Sequence, residues 1–187
     1  MSAFDPTRVF RKLAYNNALA NARLYRACAA LQSGEFEAKR VSFFPSIKAT
    51  LNHILIVDWF YVDALEGGTL GMKAFDLEEP FDTLDALSVE QGSVDRRLVV
   101  LSEALDSDAL ARVIDLHRSN HIQRERAEDV LSHLFQHQTH HRGQVHAMLA
   151  GSSIAPPQLD EFIVADDARF RGEELMALGW DEAMLMR

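Results

Sequence analysis

Five histidines fall within sixteen residues of this chain, in the segment HLFQHQTHHRGQVHAM from His133 to Met148. On a helix each residue advances by about 100°, so positions three, four or seven apart share a face. His133, His137 and His141 follow one another at intervals of four, and Gln144 stands three beyond His141. His146, nine beyond His137, points nearly the opposite way. The apolar stripe of the same segment runs through Ala127, Val130 and Leu134 and returns at Met148. Continued at three-to-four spacing, it lands on His137, His141 and Gln144. A buried imidazole nitrogen left without a partner costs roughly 1–3 kcal/mol. A divalent cation removes that cost, because it takes neutral imidazole nitrogens as ligands.

An i, i+4 pair supplies two ligands, and a third has to come from another helix. His53, in LNHILIVDWF, shares its face with Ala49, Ile56, Val57 and Phe60, so it too interrupts an apolar stripe. Two such stripes can converge in a bundle core. Three histidines leave coordination positions open, as a catalytic metal site requires. The remaining histidines read differently: His133 and His140 as supporting or surface residues, His117 and His121 as a solvated turn, and His146 as no ligand. Gln138 stands where the zinc-protease pattern HExxH places its glutamate, so a metallopeptidase would lack its base. No glycine-rich phosphate loop and no GxSxG turn is present.

Around this cluster other residues take bland readings. Asp58, five beyond His53, projects away from the metal face. Arg142 leaves that face by about 100° and suits a helix-packing salt bridge. Gly143 suits a close helix approach. Cys28, the single cysteine, lies among alanines in a helical pattern and reads as core packing. One cysteine also excludes an intrachain disulfide and a cysteine-based zinc finger.

The elements that position these residues are helical patterns. The first opens at Asp5-Pro6 and carries Val9, Phe10, Leu13, Ala20, Leu24, Ala27 and Leu31 to a stop near Gly34. The second runs from Ser46 to about Glu66 and ends at Gly67-Gly68. A 17-residue loop, Gly67 to Thr83, follows. Phe60, Phe75 and Phe81 are expected to wall a substrate pocket between this loop and the bundle. The third helix spans roughly Leu84 to Leu105, and the fourth Arg126 to Leu149. Between them ARVIDL reads as a short extended piece and HRSNH as a turn. A weaker helical pattern from about Asp166 to Leu178 forms a C-terminal extension. No strand alternation is long enough for a sheet. The expected architecture is an all-α four-helix bundle, residues 1–187 forming one domain.

The net charge of −9, from 19 basic and 28 acidic side chains, argues against a nucleic-acid partner. The excess of arginine over lysine is read as reflecting a GC-rich genome more than any arginine-specific chemistry. The richest apolar run, Ile54 to Phe60, is broken by Asp58 and far too short for a bilayer, so no membrane partner is expected. The start MSAFDPTRVF shows no signal pattern, and a cytoplasmic protein is expected.

The segment His137-Gln-Thr-His-His141-Arg-Gly-Gln144, with His53 in an LNHI helix, resembles the DinB/YfiT-like superfamily. The likeness extends to the Pro45-Ser46-Ile47 start of the second helix, the Gly67 terminus and Pro156-Pro157. It implies a four-helix bundle holding a divalent metal, zinc or nickel, on His53, His137 and His141, often as a homodimer. Relatives of this kind include low-molecular-weight thiol S-transferases and a thiol-dependent maleylpyruvate isomerase. The leading expectation is therefore a metal-dependent thiol S-transferase acting on a small-molecule substrate. The rivals are a non-catalytic metal-binding stress-response protein and a metal-dependent hydrolase.

Overall fold

Each long helix forms where its termini are satisfied and one face is apolar. The computed structural model describes residues 4–187; Met1–Ala3, the first residues of the stretch read for a signal pattern, lie outside the described residues. Helix α1 spans Arg8–Cys28, α2 Ile47–Leu65, α3 Leu84–Glu103 and α5 Ala127–Leu149, with a short α4 at Ser107–Ala111. At the start of α1, Asp5 Oδ1 accepts from the Thr7 backbone N–H at 2.9 Å and its hydroxyl at 2.7 Å. Ser46 caps α2 by accepting from Ala49 N–H at 3.0 Å, and Thr83 caps α3. In α5 the first turn carries Glu128 and Asp129, the sign that a helix N-terminus favours.

The bundle pairs α1 with α3 and α2 with α5, and contacts between α2 and α3 and between α1 and α5 close it. Its core gathers Leu19, Leu24, Leu51, Ile54, Leu55, Leu87, Val94, Leu98, Leu134, Val145 and Leu149, all nearly fully buried. The mostly helical fold matches the expected all-α class. Among the described residues no helix is long and apolar enough to cross a membrane.

Three expectations need correction. Helix α1 ends at Cys28, six residues before Gly34, although Leu31 continues the apolar spacing; residues 29–30 and 33–37 form turns. ARVIDL is extended and HRSNH turns, as expected, but where no sheet was expected they form a β-hairpin: β1 (Val113–His117) pairs antiparallel with β2 (Ile122–Arg126), with Arg118 N–H donating to His121 O at 3.0 Å across the turn. Only β1 alternates clearly, with Ile114 and Leu116 buried; β2 reads IQRER and hides its strand character. The C-terminal pattern divides into a 3₁₀ turn (Ala165–Phe170), α6 (Gly172–Leu178) and a further helix, α7 (Glu182–Met186).

The long loop after α2 is ordered by packing. Gly67, at φ +86°, turns the chain out of the helix in the left-handed region. Gly71, at φ +54°, starts a 3₁₀ turn (Gly71–Phe75) against the hairpin, where a Cβ would stand 2.7 Å from both Cβ and the carbonyl oxygen of His117. Further on, Asn52 of α2 holds the loop by a reciprocal pair, Nδ2 to Phe81 O and Phe81 N–H to Oδ1, both 3.0 Å.

Candidate functional site

Helices α2 and α5 lie side by side, and the structure brings His53, His137 and His141 together between them. Each offers a ring nitrogen, and the three nitrogens lie within 4.8 Å of one another. The Nε2 atoms of His53 and His137 face each other at 3.1 Å. Metal–imidazole bonds of about 2.0–2.1 Å place neighbouring ligand nitrogens roughly 2.9–3.4 Å apart. The rings are correspondingly close, with centroids 5.0 Å apart for His53 and His137 and 4.3 Å for His137 and His141. No fourth histidine, cysteine or carboxylate joins the group among the described residues.

The proton arrangement suits a cation. His141 Nδ1 donates to Gln144 Oε1 at 2.9 Å, which leaves its Nε2 with a free lone pair. Gln144 Nε2 in turn donates to His140 Nε2 at 3.1 Å. His137 Nδ1 is buried without a partner. Burial pulls the His53 pKa down to about 4 and that of His137 to about 3, with neighbouring imidazoles adding to the shift. His141 is lowered as well, again chiefly by burial. All three are therefore neutral at pH 7 and available as donors, and the cluster could hold a metal ion. Its donor set is three imidazole nitrogens, which suit zinc, copper, iron and nickel alike.

The histidines sit differently from the expected inward stripe. The buried face of α5 passes through Leu131, Leu134, Phe135, Gln138, His141, Arg142 and Val145, while His137 and Gln144 are half-buried at its edge. The true core positions belong to Gln138 and Arg142, 0% and 5% exposed. Gln138 Nε2 donates to Asp58 Oδ1 at 2.8 Å, and Gln91 Nε2 donates to Asp58 Oδ2 at 2.8 Å and Asp95 Oδ1 at 3.1 Å. Asn17 and Asn21 donate to Asp95, and both accept from the Arg142 guanidinium. Arg142 thus joins helices as expected, but through asparagine amides in place of a direct salt bridge. Asp58 points away from the histidines, also as expected, into this network. Burial raises its pKa to about 8 and that of Asp95 to about 6.

Other expected residues fall outside the site. His133 is exposed and lies at a tilt against Tyr61, 5.2 Å between centroids; His140 is exposed against His141. His121 is exposed in the hairpin turn, bonded to Asn120, whereas His117 is half-buried beside Gly71. Gly143 meets nothing within 4 Å of a built Cβ, so it serves no close helix approach; it lines a groove with Leu13, Asn16 and the half-buried His146. Cys28 is buried, and desolvation pushes its thiol up to about 12.

The aromatic wall also lies elsewhere. Phe60 is 1% exposed and packs on Phe75 and Tyr61, while Phe81 packs on Trp59. The ring that meets the cluster is Phe44, 4.3 Å from the His53 centroid at an interplanar angle of 33° and 5.6 Å from that of His141. It comes from the link between α1 and α2, where the sequence shows only an aromatic pair before a proline.

Comparison with known proteins bears on the family and the fold. A model of the DinB family matches residues 3–174. The chain is similar to protein DinB of Bacillus subtilis (strain 168), with 26% identity over 153 residues, covering 78% of this chain and 88% of that protein. The crystal structure of a DinB-like protein from Bacillus subtilis shares the fold at a TM-score of 0.53 and 18% identity, covering 80% of this chain and 96% of that one.

Proposed function

The chain belongs to the DinB family, and from that premise we propose that it is a divalent-metal-dependent enzyme of the low-molecular-weight thiol S-transferase type, with His53, His137 and His141 as the ligands. The observation that carries this reading is the convergence of three neutral imidazoles, two of them 3.1 Å apart at Nε2, with no fourth protein ligand among the described residues. A bound zinc or nickel ion would supply Lewis acidity and favour the thiolate of a thiol in an open position.

The chain's own residues do the rest. Gln144 fixes the His141 tautomer and ring orientation, as a carbonyl acceptor behind a ligating imidazole does. Burial keeps the three rings unprotonated. The only cysteine is sealed in the core with a raised pKa, so the chain provides no sulfur nucleophile at neutral pH. The sulfur is therefore that of a cosubstrate: its S–H proton leaves to water, the thiolate sulfur bonds to an electrophilic carbon of the second substrate, and the bond from that carbon to its leaving group breaks, the group departing as an anion with the electron pair. A hydrolase would benefit from a base beside the cluster. Asp58, the carboxylate five residues from His53, is instead committed to Gln91 and Gln138. The reading extends to a homodimer, which sedimentation at several concentrations checks, and to a cytoplasmic location, which cell fractionation checks.

The test is a panel of small thiols with 1-chloro-2,4-dinitrobenzene as reporter electrophile, run on metal-loaded and chelator-treated protein. Conjugation with at least one thiol that vanishes on chelation supports the reading. A flat response across the panel overturns the transferase function while leaving the three-histidine site standing.

A further inference from the structure

The link between α1 and α2 is anchored at its base and apolar at its tip. Lys48 N–H donates to Phe36 O at 3.0 Å, and Arg40 N–H donates to Pro45 O at 2.8 Å, which closes the segment 40–45 on itself. The Arg40 guanidinium adds bonds to Glu35 O at 2.7 Å and Ala38 O at 3.0 Å. Between these anchors the chain presents Val41, Phe43 and Phe44. Phe44 lies tilted over His53 and is half-buried. Phe43 packs its edge on Phe44, 4.9 Å between centroids at 83°, yet is 80% exposed, and Val41 is fully exposed.

Leaving two large apolar side chains in water forgoes the roughly 1.5–3 kcal/mol that burying each would bring. Folding does not explain their position, since neither belongs to the hydrophobic core or packs against it. Their neighbour Phe44 touches two of the three clustered imidazoles. A contiguous apolar patch that runs from solvent to a half-exposed polar centre is the form of a ligand-facing wall.

We infer that Phe44, with Phe43 beside it, is the specificity-determining wall of the histidine site, and that the substrate carries an aromatic or similarly flat apolar group next to the atom that reaches the cluster. This rests on the metal-centre part of the proposed function and not on its thiol chemistry. A flat group lying against Phe44 gains an aromatic contact worth up to about tenfold in affinity. The wall is built of side chains on a loop whose base is pinned, so it is pre-positioned and costs little to order on binding.

The test uses cobalt(II)-substituted protein, whose visible spectrum reports ligands entering the coordination sphere, with benzohydroxamate and acetohydroxamate as probes. The wild type is expected to bind the aromatic probe about tenfold more tightly. Phe44→Ala is expected to bring the two affinities within about twofold while cobalt stoichiometry stays unchanged, and Phe44→Tyr to restore the preference. An undiminished preference in Phe44→Ala, or no preference in the wild type, overturns the inference. Loss of cobalt from Phe44→Ala also overturns it, because Phe44 would then only brace His53. Failure of the wild type to bind cobalt removes both the metal reading and this one. Thiol silence with a hydroxamate preference intact removes the thiol reading alone.

Discussion

Two polar clusters interrupt the apolar interior between the helices, and they are opposites. The histidine cluster lies at the edge of the α2–α5 contact, with His53 and His137 half-buried and one His137 nitrogen lacking any partner. The second cluster, Asp58, Asp95, Gln91, Gln138, Asn17, Asn21 and Arg142, lies in the core, each member no more than 5% exposed. It joins α1, α2, α3 and α5 and spends most of its polar atoms on one another. Only Gln91 Oε1 and Gln138 Oε1 go without. The difference teaches that a polar residue on an apolar stripe is not in itself a site. A site keeps its donor atoms uncommitted and reachable; a structural network commits them and seals them.

The comparison breaks most readily at Arg142. Its removal takes away the guanidinium that bonds Asn17 Oδ1 and Asn21 Oδ1 and that acts on Asp95 and Asp58 within the core, and each buried acceptor left unpaired costs about 1–3 kcal/mol. Arg142→Met should therefore lower the urea midpoint sharply, whereas His137→Ala should shift it by about 1 kcal/mol or less in metal-free protein, as expected of a half-buried side chain at the edge. Equal losses in the two variants would erase the distinction between the clusters.

A smaller effect is expected at Gln144. Removing an acceptor behind a ligating histidine costs about 10–100-fold in metal affinity. Gln144→Ala should show that loss in a chelator competition, and Gln144→Glu should not, since a carboxylate accepts from His141 Nδ1 as well as an amide does. An unchanged affinity in Gln144→Ala would mean that the 2.9 Å bond does not orient the ring.

The network has its own pH signature. Asp58 titrates near 8 in the folded protein against an ordinary 3.8, so between these values the folded state holds a proton that the unfolded chain has released. Stability from this group is therefore lost as pH rises from about 4 toward 8. Asp95, raised to about 6, adds the same sign over a narrower window. Asp58→Asn, which carries no such proton, should gain on the wild type progressively across that range in denaturant titrations. A constant difference would show that Asp58 is ionised in the fold. The smallest effect is at His133, exposed one turn from His137: His133→Ala should leave metal content unchanged.

Much of this was legible from spacing. The i, i+4 pair His137 and His141 and the inward position of His53 place three imidazoles in one groove, and amphipathic periodicity locates the four long helices. The hidden parts have physical causes. Leu31 continues the α1 pattern because a hydrophobic residue packs equally well just beyond a helix end. Strand β2 consists largely of charged and polar residues, so its pairing with β1 depends on a tertiary contact. Gln138 and Arg142 look like solvent positions unless Asp58, Asp95 and the two asparagines are known to face them. Phe44 belongs to a link whose path is set by bonds such as Arg40 to Pro45, which no periodicity records.

Two of the arginines use several guanidinium donors at once. Arg171 is fully buried and donates to Glu161 O, Val164 O and Glu182, and Arg23 ties α1 to Glu161, Glu174 and two backbone carbonyls of the C-terminal segment. These are multi-donor tasks that a lysine cannot match.

The proposed metal centre puts one divalent ion on His53, His137 and His141 at the edge of the bundle. Metal analysis of purified wild type, His53→Ala, His137→Ala and His141→Ala, each reloaded with zinc and desalted, tests it most directly. About one ion per chain is expected in the wild type and a large loss in every variant, as the loss of one of three ligands requires. Equal metal content in wild type and His137→Ala would contradict it.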